Sequence, residues 1–307
     1  MKEILMIFKD LQQMVPDAEL AITEPLSKHT FIKTGGIGDV FIKPFDVNGL
    51  QKIVKYAFAH DIPLTVLGKG TNVIIRDAGI RGIVVSLDQL NKVSVINETI
   101  TVGSGANIID VSRIALQHQL SGLEFACGIP GTVGGALIMN AGAYGGEISE
   151  VLTSATVLTQ SGEFRTLKTG EFQFGYRSSV FANEHLIIVE AVFSLRKADP
   201  TLIKGKMDEN TFLRESKQPL EYPSCGSVFK RPPGNFAGKL IQESGLQGTR
   251  IGGAEVSTKH AGFIVNVDNA TSTDYIQLIE HVQKTVKEKF GIDLETEVKI
   301  IGKNPEG

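Results

Sequence analysis

Residues 122–146 read GLEFACGIPGTVGGALIMNAGAYGG; eight of them are glycine, and Pro130 stands in the middle. The glycines at 128, 131, 134 and 135 interrupt apolar side chains, so the stretch does not read as an ordinary solvent loop. Glycine reaches positive φ and lets another group approach the backbone closely. Such a run presents backbone N–H donors to something bulky and anionic, with Thr132 as a hydroxyl donor. On composition alone, a glycine-rich packing turn is the competing reading.

A second glycine turn, Gly68–Asn72, lies in IPLTVLGKGTNVIIRD, between two short strands. It lacks the GxxxxGK[ST] form of a nucleotide P-loop. It is also not a GxGxxG followed by a long helix, which disfavours a dinucleotide Rossmann site.

The flanks alternate strand and helix. A strand is expected at Val40–Lys43, then a helix from an Asp46 cap to about His60. Strands follow at Gly82–Leu87 and Thr99–Val102. Asn107 caps a helix carrying Ile108, Val111, Ile114 and Ala115, and a short helix is expected over Val133–Asn140. Val151–Leu158, Glu163–Thr166 and Leu186–Leu195 read as strands of a mixed or antiparallel sheet. Charge and proline cluster at Arg196–Pro200 and mark a boundary. Beyond it the pattern predicts helices at Thr201–Ser216 and Ala237–Glu243 and small strands at Thr249–Val256 and Ala261–Val265. The long helix Ser272–Phe290 has Gly291 as its natural stop. A final strand, Leu294–Ile301, would put Glu295 and Glu297 on one face.

Composition bounds the function. With 307 residues and 42% hydrophobic content, the chain can build two or three domains without disulfide staples. The 31 basic and 34 acidic residues nearly balance, so no overall field draws nucleic acid. Cys127 and Cys225 have no metal-like or disulfide spacing, and the six histidines are scattered, so no metal site is expected. The first residues, MKEILMIFKDLQQMVP, read as an amphipathic helix stopped by Pro16, and no apolar run is long enough to span a bilayer. A cytoplasmic protein without membrane or nucleic-acid partners is the expectation, and a monomer, since no surplus apolar helix face is evident.

Six segments occur in order: VLGKGTNVII, the Gly122–Gly145 stretch, FGYRSSVF, SCGSVFKRP, KHAGFIVN and LETEVKIIG. Together they resemble the UDP-N-acetylenolpyruvoylglucosamine reductase family over roughly Leu26 to Gly302; the first two also resemble the wider vanillyl-alcohol-oxidase-like FAD-binding superfamily. The resemblance implies an α+β fold, with a two-part FAD-binding module of the vanillyl-alcohol-oxidase/PCMH type (1–85 and 86–199). A C-terminal α+β UDP-sugar domain (200–307) would complete it. It implies NADPH as reductant and a product, UDP-N-acetylmuramate, used for peptidoglycan. The short interval from Phe174 to Phe193 looks like the family's shorter class, so no substrate-clamping tyrosine is assigned to Tyr176 or Tyr222. A sugar or alcohol oxidase of the same superfamily is the rival, although no histidine is placed for covalent flavin attachment.

By motif, Ser227 corresponds to the family's proton donor, Arg177 to the arginine facing the intermediate, and Glu297 to the essential acid. A guanidinium fork suits a carboxylate or enolate. A charged glutamate there would repel an anion, so Glu297 must be protonated or act through Arg177 or a water. Cys225 reads as structural or as pocket wall. For FAD, the resemblance points to Gly68, Lys69, Gly70, Thr71 and Asn72. It points equally to Gly128, Ile129, Pro130, Gly131, Thr132, Gly134, Gly135 and Asn140, although Asn140 is equally able to cap its own helix. Lys230 and Arg231 are candidates for the UDP-sugar, with Lys217, Lys259 and His260 as weaker ones.

Overall fold

The structure is a computed structural model that describes residues 1–304; the last three residues of the expected 200–307 domain lie outside the described residues. The chain divides into two compact units. The first takes residues 1–22, 40–68 and 82–214, and the second takes 23–39, 69–81 and 215 onward.

In the first unit the opening amphipathic helix, Lys2–Met14, buries Ile7 and Leu11. The next helix, Val47–Ala59, starts where the Asp46 carboxylate accepts the Gly49 N–H at 2.7 Å, satisfying one of the orphan donors of a first turn. Leu50, Ile53, Val54 and Ala57 form its buried stripe. Strand Leu64–Leu67 runs parallel to Ile80–Ser86 in register Leu64↔Ile83, at the edge of a four-stranded sheet. An antiparallel five-stranded sheet follows, ordered Phe164–Lys168, Leu152–Leu158, Ile187–Ser194, Thr99–Gly103 and Val93–Ile96. Helix Ile108–Gln117, capped by Asn107, and the short helix Val133–Ile138 belong to this part of the unit. Ile100, Val102, Val133, Leu137, Ala155 and Phe193 share its core.

In the second unit, antiparallel strands lie in the order Ser224–Ser227, Phe263–Asn266, Ala254–Val256, Arg250–Ile251. Helix Ser272–Phe290 buries Tyr275, Leu278, Ile279, Val282 and Val286, and Gly291 closes it in the left-handed conformation, as the sequence predicts. Its start is doubly capped. Thr271 and Asp274 form a capping box, and the Asp77 carboxylate accepts the Ser272 and Thr273 N–H groups at 2.9 and 2.8 Å. Strand Lys299–Ile301 pairs in parallel with Val73–Ile75.

Two expected strands differ. Thr249–Val256 is a hairpin, Arg250–Ile251 paired with Ala254–Val256, because Gly252 at φ +52° and Gly253 form its turn. Leu294–Ile301 is a strand only from Lys299; before that the backbone makes one isolated bridge, Phe229↔Thr296. Strand Glu19–Pro25, which the apolar pattern did not announce, is half-buried along most of its length and so lacks a clean alternation.

Candidate active site

In the second unit, Ser227 ends its strand opposite Phe263, after an irregularity between Ser224 and Ser227 where Gly226 takes φ +77°. Directly beyond it the chain pairs with the segment before the last strand. Val228 O accepts the Glu297 N–H at 2.8 Å, and Glu295 O accepts the Lys230 N–H at 2.8 Å. This exchange sets Ser227 and Glu297 on neighbouring positions of one backbone frame, although they lie far apart in sequence. Asn72 joins the frame, donating through Nδ2 to Glu297 O at 3.3 Å and accepting the Lys299 N–H at 3.1 Å.

Both side chains are half-buried. The Ser227 hydroxyl makes one long contact, 3.4 Å to Phe229 O, so its proton is not committed to a short hydrogen bond. Glu295, with no regular strand to align it with Glu297, is solvent-exposed and pairs with Lys230 at 2.5 Å. Of the two glutamates that strand alternation left open, Glu297 is the half-buried one.

His260 lies beside Ser227. Its Nδ1 accepts the Gly262 N–H at 3.1 Å, and a methyl group on Gly262 would sit 3.1 Å from the His260 ring and 3.5 Å from Ser227 Oγ. Burial lowers the His260 pKa, so the ring is held neutral. With Nδ1 as acceptor, its proton is on Nε2.

The first unit holds Arg177 and the glycine-rich loop. Arg177 is half-buried in a left-handed turn (φ +55°); its Nη2 donates to Gly142 O at 3.3 Å, and its guanidinium lies 5.3 Å from the Tyr176 ring centre. Thr132 caps helix Val133–Ile138 by accepting the Gly135 N–H at 3.2 Å. A methyl on Gly68 would lie 2.9 Å from Thr132 Oγ1, so the two glycine turns meet at that point only because residue 68 has no side chain. Gly128, Ile129, Pro130 and Gly131 are half-buried, Gly134 is packed on Ser104, and Gly135 is exposed. Ser104 Oγ is buried with no hydrogen-bond partner among the described residues. A cavity of about 580 Å³ lies elsewhere in the first unit, lined by Val54, Phe58, Leu64, Val66, Ile138 and Ile187, and no residue of Gly68–Asn72 or Gly128–Gly135 lines it. The close-set backbone of the glycine turns, the orphaned Ser104 hydroxyl against Gly134 and the lack of a carboxylate between residues 128 and 135 fit a dinucleotide diphosphate such as that of FAD.

Other sequence candidates have other occupations. The Asn140 amide is spent within the protein, donating to Glu147 Oε1 at 3.0 Å and Gly175 O at 3.3 Å and accepting the Ser149 N–H at 3.0 Å; it does not cap its own helix. Lys69 and Lys217 are exposed, Gly70 is buried, and Thr71 is half-buried. Arg231 is exposed and stacks on Phe236 at 4.0 Å, while Lys259 donates to Glu215 O at 2.9 Å. Cys225 is in the core, and burial pushes its thiol up to about 12, which makes it structural. No group of metal-ligating residues and no helix long and apolar enough to cross a membrane occurs among the described residues. Arg214, in the polar run LRESK, packs its Cδ at the Gly128 position, and nothing in the sequence distinguishes it from solvated charge.

The glycine turns and α+β layers fit a protein that holds a dinucleotide cofactor, and likeness to known proteins identifies the class as FAD-dependent oxidoreductases. Residues 38–168 match the family model described as an FAD binding domain, and residues 218–301 match the one described as UDP-N-acetylenolpyruvoylglucosamine reductase, C-terminal domain. The chain is 63% identical over 300 residues to UDP-N-acetylenolpyruvoylglucosamine reductase 2 of Bacillus cereus, covering 98% of each. It is 57% identical over 299 residues to the corresponding reductase of Staphylococcus aureus, covering 97% of each. The crystal structure of UDP-N-acetylenolpyruvylglucosamine reductase from Thermus caldophilus superposes with a TM-score of 0.79 at 31% identity, covering 92% of this chain and 98% of that one. The chain belongs to the UDP-N-acetylenolpyruvoylglucosamine reductase family.

Proposed function

We propose that the protein reduces UDP-N-acetylglucosamine enolpyruvate to UDP-N-acetylmuramate, with NADPH as reductant, in the cytoplasmic synthesis of peptidoglycan precursors. The observation that carries this reading is the backbone exchange between Val228–Lys230 and Glu295–Glu297, which sets the motif serine beside the motif glutamate in a chain of this family.

When bound, FAD would supply the two-electron hydride chemistry that links NADPH to C3 of the enolpyruvyl ether. Negative charge then develops at C2 and in the adjoining carboxylate. Ser227 gives its hydroxyl proton to C2 and is reprotonated from solvent, so hydride and proton together account for the two hydrogens added. Serine is a weak acid, and the uncommitted geometry of its Oγ–H leaves the proton available to a basic carbanion. Arg177 supplies the counter-charge, its fork matched to a carboxylate or enolate. Glu297 serves in its protonated form, or through Arg177 or a water, and its backbone is anchored on both sides by Val228 and Asn72. The backbone of Gly68–Asn72 and Gly128–Gly135 holds the cofactor non-covalently. Lys230 and Arg231, with Lys217 and His260, are assigned to the UDP-sugar. The active form is a monomer.

The test is anaerobic stopped flow. Protein reduced with NADPH should regain its oxidised flavin spectrum on addition of UDP-N-acetylglucosamine enolpyruvate. Flavin that stays reduced with that acceptor but reoxidises rapidly in air would instead identify an oxidase.

A further inference from the structure

Arg214 is a cation set against Gly128 of the glycine-rich loop, and none of the catalytic or binding roles assigned to other residues uses it. Its Cδ takes the space a side chain at residue 128 would fill; a methyl on Gly128 would lie 2.9 Å away. The preceding helical turn is tied to the same loop. Asn210 donates through Nδ2 to Glu124 O at 3.0 Å, and Thr211 Oγ1 lies 3.7 Å from Cys127 Sγ. The guanidinium is thus carried to the loop by a fixed helix end and not by a free tail.

Its surroundings are those of a cation awaiting a partner. Arg214 is half-buried and makes no hydrogen bond or ion pair among the described residues, and the ionisable groups acting on it are the Tyr144 hydroxyl and the Cys127 thiol. Burial raises both of those pKa values, so both are neutral and neither offsets its charge. Burial also lowers the pKa of Arg214 itself, the mark of a charge stripped of water. Removing water from a charge is costly unless a counter-charge arrives. A permanent cation calls for a permanent anion, and a planar guanidinium fork matches phosphate oxygens in paired hydrogen bonds.

We propose that Arg214 binds an organic diphosphate at the Gly128–Thr132 loop, and that the diphosphate is that of FAD. The second part rests on the reading that the chain binds FAD, and the loop falls within the segment matching an FAD binding domain. Gly128 is then a specificity position: it is glycine so that Arg214 can lie flat against the loop.

The test uses purified apoprotein of wild type, R214Q, R214K and G128A, titrated with FAD and separately with ADP, a diphosphate without the flavin ring. R214Q should bind both roughly ten- to a hundredfold more weakly, the range of a charge-assisted contact. R214K should recover part of the loss, and G128A, which keeps the arginine but displaces it, should fall between. Thermal unfolding of the apoproteins separates binding from folding, and R214Q should melt within a few degrees of wild type. Unchanged FAD and ADP affinity in R214Q would overturn the proposal, whether the variant then shows a lower melting temperature alone or a higher KM for the UDP-sugar alone. The second pattern would move the diphosphate to the substrate. Wild-type protein that takes up no FAD would defeat the functional reading, a result distinct from either.

Discussion

The two regions that carry the proposed roles are built by opposite means. In the first unit, the loop around Thr132 works by leaving side chains out: Gly68 admits Thr132, Gly128 admits Arg214, and backbone groups remain to meet a ligand. In the second unit, the frame around Ser227 works by placing side chains, using backbone pairing between segments far apart in sequence. The first kind of site tolerates many ligand shapes and depends on space. The second depends on a few atoms. A substitution should therefore affect binding in the one and turnover in the other, and that division can be broken by experiment.

Glu297→Gln should have a larger effect than substitutions at Gly68, Asp77 and His260. It keeps the shape and the backbone anchors but removes the acid, and should lower kcat by about 10²- to 10⁴-fold with FAD content unchanged. Steady-state kinetics together with the flavin-to-protein absorbance ratio read both quantities. A loss of FAD in parallel with kcat would mean the two regions are not separable in this way.

Gly68→Ala should do the reverse. The added methyl meets Thr132 Oγ1, and overpacking of about 1–3 kcal/mol corresponds to FAD binding weakened about tenfold or more. Titration of apoprotein checks it; once saturated with FAD, the variant should retain kcat near wild type.

Asp77→Ala touches neither region directly. It strips two N–H partners from the start of the Ser272–Phe290 helix and should cost about 1–2 kcal/mol, read as a melting temperature lower by a few degrees. The smallest effect concerns pH. Burial depresses the His260 pKa in the folded protein, so as pH falls below about 6.5 the unfolded chain binds a proton that the folded one refuses. Stability contributed by the neutral ring is present above that pH and declines below it. His260→Gln should flatten this part of the curve of melting temperature against pH, and an unchanged slope would show that His260 is not the group responsible.

The same contrast explains what was legible in the sequence. Glycine announces itself, so the Gly122–Gly146 stretch and the Gly68 turn were found by inspection, as was the long helix with its apolar stripe and Gly291 stop. Asp77, which caps that helix, was not foreseen, since nothing near residue 77 signals a helix that starts at 272. The pairing of Val228 with Glu297 was equally hidden: Leu294–Val298 has strand-like alternation, yet it forms a single bridge and not a ladder. Arg214 gave no signal because an arginine in a polar helix is ordinary until the glycine it leans on is known. Asn140 shows the converse. It sits inside the flavin-binding motif, but three hydrogen bonds to its own loop and the neighbouring turn commit it to bracing the backbone.

Everything assigned to the second unit turns on one proton. Ser227→Ala, prepared with full FAD, can be taken through the two half-reactions separately by anaerobic stopped flow. NADPH should bleach the flavin at the wild-type rate, while reoxidation by UDP-N-acetylglucosamine enolpyruvate should slow by about 10²-fold or more. Reoxidation at the wild-type rate, with UDP-N-acetylmuramate formed, would contradict the assignment of Ser227 as proton donor.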